Sequence, residues 1–154
     1  MTKVLLSIHI LAGILFVGPP TVTASLFPRY ARLAGERSER DLAAARVLNR
    51  ITRVYAVLSV AVPVFGLATA IQMKILTQAW LLVSIVLTAA AAGVLAFLVL
   101  PQQTRILASL TGPEPGTEPH PLLGKAAMSS GIFALLWTVV VVLMVLRPGS
   151  TTGA

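Results

Sequence analysis

At 154 residues the chain is long enough for one compact domain and too short for two. Hydrophobic residues make up 56% of it and charged residues 11%, against about 25% charged in soluble domains, so an ordinary water-soluble fold is excluded. The net charge is +7, yet seven of the twelve basic residues crowd between Arg29 and Arg53, flanked by apolar stretches, a distribution that argues against nucleic-acid binding. The absence of cysteine removes disulfides, thiolate metal sites and thiol chemistry. Arginine outnumbers lysine nine to three and alanine is abundant, a balance that suits a GC-rich bacterial genome.

Four apolar runs are long enough to cross a hydrocarbon core, which takes roughly 20 helical residues. They span about 4–27, 54–73, 80–100 and 126–146, and none contains Asp, Glu, Lys or Arg. Backbone in lipid must satisfy its own hydrogen bonds, so the runs are predicted to be helices. The fold class expected is all-α: a four-transmembrane-helix bundle forming one membrane domain, with loops 28–53 and 101–125 on one side.

Lys3, the apolar run to Val17, the breaker Gly18-Pro19-Pro20 and Val22-Thr23-Ala24 together have the pattern of a cleavable signal peptide. Cleavage after Ala24 would leave Arg29, Arg32, Arg37, Arg40, Arg46, Arg50 and Arg53 on the outer face, against the positive-inside rule. An uncleaved first helix running inward is the expectation. The two longer loops hold nine of the twelve basic residues, which places them in the cytoplasm and both termini outside. The expected location is therefore the bacterial cytoplasmic membrane, crossed several times.

Within the first run, Pro20 clashes with the carbonyl of Phe16, so a kink or short break is expected at Gly18, Pro19 and Pro20. The hydroxyls of Thr21, Thr23 and Ser25 stand ready for the freed carbonyls. The first loop is predicted to hold a basic amphipathic helix, capped by Ser38 with Asp41 in its first turn, leading into the second span. Its Arg46, Arg50 and Arg53 form a stripe at helical spacing, fit to lie against anionic headgroups or to dock an acidic partner. Pro63 should bend the second span. Small residues that let helices approach closely are Gly66 and Ala70 in the second span, Ala89 and Gly93 in the third, and Gly131 beside Ser129 and Ser130 in the fourth. The loop from Pro101 to Pro121 is predicted to be irregular, with Glu114 and Glu118 lacking a fixed partner. Trp80 fits an interfacial anchor and Trp137 a packing position in the bundle.

His9 is the one ionisable residue inside a span and thus the first functional suspect. Leu5, His9, Ala12 and Phe16 share a helix face, and Gly13 one turn on leaves room for a ligand or a neighbouring helix. His120, the other histidine, falls in the third loop across the membrane, so the two cannot share a haem or metal within one chain. Met73 and Met144 lie in the same leaflet as His9, and imidazole with thioether suits Cu(I) or haem. A histidine packed against a helix carbonyl is the plainer alternative. No intramembrane carboxylate, paired acids, Ser-His-Asp set, HExxH motif or Gly-rich phosphate loop is present, so no enzymatic activity and no resident cofactor is expected beyond that haem or copper option.

Ser7-Ile8-His9-Ile10-Leu11-Ala12-Gly13, then Phe16-Val17-Gly18-Pro19 and Phe27-Pro28-Arg29-Tyr30-Ala31-Arg32, resembles a family of small four-helix bacterial integral membrane proteins with no assigned function. The first helix is also similar to that of copper-resistance protein D-like membrane proteins, which carry an early histidine followed by glycine. The resemblance supports the four-span count, directs attention to His9 and implies no activity. Three functions follow as expectations. The leading one is a non-catalytic accessory or assembly subunit of a larger respiratory or cell-envelope complex, in contact with lipid and a protein partner or a second copy. The others are a haem or copper module at His9 and a small-solute or lipid transporter with a polar cavity near Thr21, Thr23 and Ser25.

Overall fold

The computed structural model describes residues 2–36, 38–112 and 120–149, with the backbone alone at His120. Every element is helical: α1 (Thr2–Gly35), α2 (Glu39–Leu58), α3 (Ala61–Met73), α4 (Ala79–Gly93), a π-helical stretch (Val94–Val99), α5 (Leu100–Thr111) and α6 (His120–Leu146). Among the described residues, four continuous stretches are long and apolar enough to cross a membrane: Thr2–Gly35, Glu39–Met73, Ala79–Thr111 and Pro121–Leu146. The four-span, all-helical expectation holds.

These stretches outrun the bilayer. Thirty-four residues of α1 rise about 50 Å at 1.5 Å each, against about 30 Å of hydrocarbon. The surplus lies at the basic end, where the sequence suggested loops. α1 continues past Phe27 to Gly35, and α5 occupies much of the supposed irregular third loop. Arg37, Glu114 and Glu118 lie outside the described residues. The arginine-bearing helix stands along the bundle as the first half of α2, with Ala45, Asn49 and Thr52 buried at positions i, i+4 and i+7. Ser38 caps it, accepting the Asp41 backbone N–H at 3.3 Å.

α1 is the hub, packing on α2, α3, α5 and α6, while α4 leans on α6. Three apolar clusters stack along the bundle. One at the basic end joins Phe27, Ala31, Ala45, Ile106, Leu123 and Ala126. A central one holds Ala12, Val17, Val62, Leu95, Val99 and Phe133. The third, at the opposite end, is Ala70, Trp80 and Leu81 with Met144 packed against it. There the Arg147 guanidinium sits 5.8 Å from the Trp80 ring centroid, joining the start of α4 to the end of α6.

The prolines leave different marks on the three spans that carry them. α1 is unbroken through Gly18, Pro19 and Pro20. The hydroxyls of Thr21, Thr23 and Ser25 donate to Val17, Pro19 and Thr21, their own i−4 carbonyls, and not to the Leu15 and Phe16 carbonyls that lose their partners. The second span breaks at Ser59–Val60, one turn before Pro63, where the effect of that proline on the helix is expected. The Ser59 carbonyl, which Pro63 cannot bond, accepts the Val62 N–H at 3.0 Å. Before Pro101 the third span widens into its π stretch, with Leu100 N–H reaching back five residues to the Leu95 carbonyl.

Candidate functional site

His9 rests against α3. Its Nδ1 lies 2.9 Å from the Val62 carbonyl oxygen. A carbonyl only accepts, so Nδ1 carries the proton and, in the neutral ring, Nε2 keeps its lone pair. The ring lies so close to Gly66 that a Cβ there would be 2.7 Å from His9 Cε1. Gly66 is therefore the seat of the imidazole, a role more specific than helix approach. Ala70, one turn on, is buried in the Trp80 cluster. Gly13 accommodates Trp137, whose Cζ2 would stand 3.9 Å from an added Cβ, so Trp137 packs within the bundle.

The two methionines of the expected ligand set lie toward the end of the bundle opposite the basic one. Met73 lies seven residues beyond Gly66 on the same helix, about 10 Å further along the axis. Met144 packs with Ala70, Trp80 and Leu81. No group of three or more His, Cys, Asp or Glu suited to a metal occurs among the described residues. Thr21, Thr23 and Ser25, near which a polar cavity is expected, differ in burial, and Thr21 is half-buried. Thr23 is buried and bonded to Thr52 at 2.7 Å, and Ser25 is exposed.

Between the central and basic-end clusters runs a buried layer of neutral polar groups that the hydropathy pattern does not announce. Asn49 Nδ2 donates to Gln103 Oε1 at 3.0 Å. Ser129 donates to Gln102 Oε1 at 2.7 Å. Ser130 reaches the Ala24 carbonyl at 3.0 Å. Ala24 is four residues before Pro28, so its carbonyl has no helical N–H, and a hydroxyl from α6 takes that place. Gln103 Nε2, in contrast, is buried without a partner. Pro28 and the Gln102-Gln103 pair were the available sequence signals, each masked by the expectation that their segments were loop.

A cleft of about 170 Å³ opens where the second and third spans part. α3 packs on α1 and meets α4 only weakly, while Phe133 and Trp137 of α6 form the floor. Ala56, Val60 and Pro63 line one wall; Thr88, Ala92 and Ala96 line the other. Its two hydroxyls, Ser59 and Thr88, donate to their own helix carbonyls, so the walls are effectively apolar. Arg46, Arg50 and Arg53 are all exposed, and Arg53 Nη2 reaches Thr104 Oγ1 at 3.3 Å.

The small residues of the other spans are unused inside the chain. Ala89 is exposed, and the positions a Cβ would take on Gly93 and Gly131 have nothing within 4 Å. Their part in helix association therefore falls outside this chain's own packing: α4 turns Leu81, Ser84 and Ala91 inward and leaves Ala89 on the other side, and Gly131 of α6 is exposed.

Residues 3–148 match the family described as "Predicted integral membrane protein (DUF2269)". The chain belongs to that family, whose members have no established function. No curated protein matches, and no solved structure does. The likeness of the first helix to copper-resistance protein D-like proteins has no counterpart in these comparisons.

Proposed function

From that membership, we propose that the protein is a non-catalytic subunit of a larger assembly in the bacterial cytoplasmic membrane, an accessory or assembly component of respiratory or cell-envelope machinery. The observation that supports this is the outward face of α4. Ala89 and Gly93 stand one turn apart there, with open space above Gly93. Glycine in a helix interior costs about 0.5–1 kcal/mol relative to alanine. Gly66 offsets that cost by seating His9, whereas Gly93 gains nothing inside this chain. Small residues facing lipid are the surface on which another transmembrane helix approaches closely. The test is native mass spectrometry of tagged protein released gently from its own membrane, wild type against Gly93→Leu and Ala89→Leu. A wild-type mass containing a second, different protein that both variants lose supports the reading. A lone chain, a multiple of this chain only, or a complex indifferent to both variants overturns it.

A second reading has one observation in its favour: His9 is held as the tautomer that presents Nε2 as a lone-pair donor, the arrangement common to metal-ligating histidines. It makes His9 an axial ligand to haem or a ligand to Cu(I), with the remaining ligand from another chain. Haem absorbance or copper in the wild type that vanishes in His9→Ala supports it; a colourless, copper-free protein sinks it.

A further inference from the structure

The cleft between the second and third spans lies at a depth where the surroundings are hydrocarbon, and its mouth carries cations. Arg53 is on the same face of α2 as Ala56, at a spacing of three residues, so it stands one turn toward the basic end from the cleft wall. Its hydrogen bond to Thr104 crosses from the second span to the third, the two elements that part to form the cleft. Helical side chains lean toward the N-terminus, which for α2 is the basic end, so the guanidinium is carried to headgroup level. Arg53 is exposed and uses one of its five donors on Thr104. Arg50 and Arg105, both exposed, flank it. The nearest carboxylate on its own helix is Asp41, about 18 Å back along the axis.

From Arg53 to Pro63, at the far end of the cleft, the chain rises about 15 Å, half the hydrocarbon thickness and the depth one leaflet's acyl chain occupies. Apolar walls, a one-leaflet length and a phosphate-matching fork that forms no ion pair among the described residues specify a single occupant. We propose that the cleft is a binding site for one anionic phospholipid of the basic-side leaflet, its phosphate on Arg53 and one acyl chain against Ala56, Val60, Ala92 and Ala96. Neither Ala89 nor Gly93 lines the cleft, and the site does not depend on the subunit role.

The test uses full-length protein exchanged into detergent, delipidated, and titrated with phosphatidylglycerol or with phosphatidylcholine of identical chains, bound lipid being counted by native mass spectrometry. The wild type is expected to retain one phosphatidylglycerol in preference to phosphatidylcholine. Arg53→Gln should weaken that lipid about fivefold, the equivalent of ~1 kcal/mol for one cation beside a membrane anion. Ala92→Leu, which fills the wall from an exposed position, should remove the preference while leaving the helical signal and unfolding temperature in place; Ala96→Leu serves if the first variant fails to fold. Equal retention of the two lipids overturns the proposal. So does loss with Arg53→Gln but not with cleft filling, which marks surface charge alone. A wild-type dimer that Ala92→Leu dissociates assigns the cleft to a second copy and also overturns it.

Discussion

His9 and Gly66 are fitted to each other: the imidazole occupies the space where any side chain at position 66 would begin, with its Nδ1 held on the carbonyl of Val62. Gly66→Ala must push the ring off that carbonyl. The expected cost is about 1–3 kcal/mol, the range for overpacking a well-filled site. In a His9→Ala background the same exchange should be neutral or stabilising by about 0.4–1 kcal/mol, since alanine suits a helix better than glycine. Unfolding of the four proteins in one detergent closes the cycle, and additive penalties would show that the two residues do not share the space.

Pro28 and Ser130 are coupled through Ala24. Proline withholds the N–H that the Ala24 carbonyl should receive, and the Ser130 hydroxyl supplies a proton from another span at 3.0 Å. Ser130→Ala should destabilise the bundle by about 0.6 kcal/mol and by no more than about 1.7, the mean and the maximum for hydrogen bonds between membrane helices. Pro28→Ala restores the backbone donor, so Ser130→Ala should cost clearly less on that background. An undiminished cost would place the hydroxyl's contribution at its second partner, the Ala126 carbonyl at 2.8 Å.

Asn49 and Gln103 pair in the polar layer while Gln103 Nε2 goes unsatisfied. Removing one partner strands the other, at about 1–3 kcal/mol. Asn49→Leu alone is therefore expected to destabilise, whereas Asn49→Leu with Gln103→Leu should return to wild-type stability or exceed it, at some loss of helix register. Thermal unfolding checks the energies and crosslinking between α2 and α5 checks the register. A double variant weaker than either single one would contradict this account.

Four spans and a basic end are legible in the sequence because hydropathy and charge are properties of single residues, summed over a window. Ser38 and Asp41 likewise predict a cap from local chemistry, and the structure forms it. Where each helix stops is not local. Pro28 through Gly35 look like the start of a loop until Ala31, with Phe27 one turn before it, meets Ala45, Ile106 and Leu123 across the bundle. The prolines mislead for a related reason. Losing an N–H costs only what the orphaned carbonyl cannot recover, and at Ala24 and Ser59 the replacement donors come from Ser130 and Val62. His9 was visible as a lone ionisable residue, but its partner is a backbone carbonyl that sequence cannot display. The cleft is the least legible feature, because it opens where α3 and α4 part beyond their contact at Ala70, Trp80 and Leu81, and an absent contact leaves no pattern.

Ser38 is the one helix-start signal whose consequence can be measured in isolation. It adopts extended backbone, and its hydroxyl accepts the Asp41 N–H at the start of α2. Without it the first turn of α2, which carries Glu39 and Asp41 at the positive end of the helix, loses a partner for one of its free donors. Ser38→Ala should cost about 1 kcal/mol, and Ser38→Gly only a few tenths, since glycine tolerates the cap backbone without the hydroxyl. Amide hydrogen exchange would show the loss as faster exchange at Arg40, Asp41 and Leu42, with the membrane-embedded amides of α1 unchanged. Equal effects of alanine and glycine would mean the turn is held by the packing of Ala45 alone.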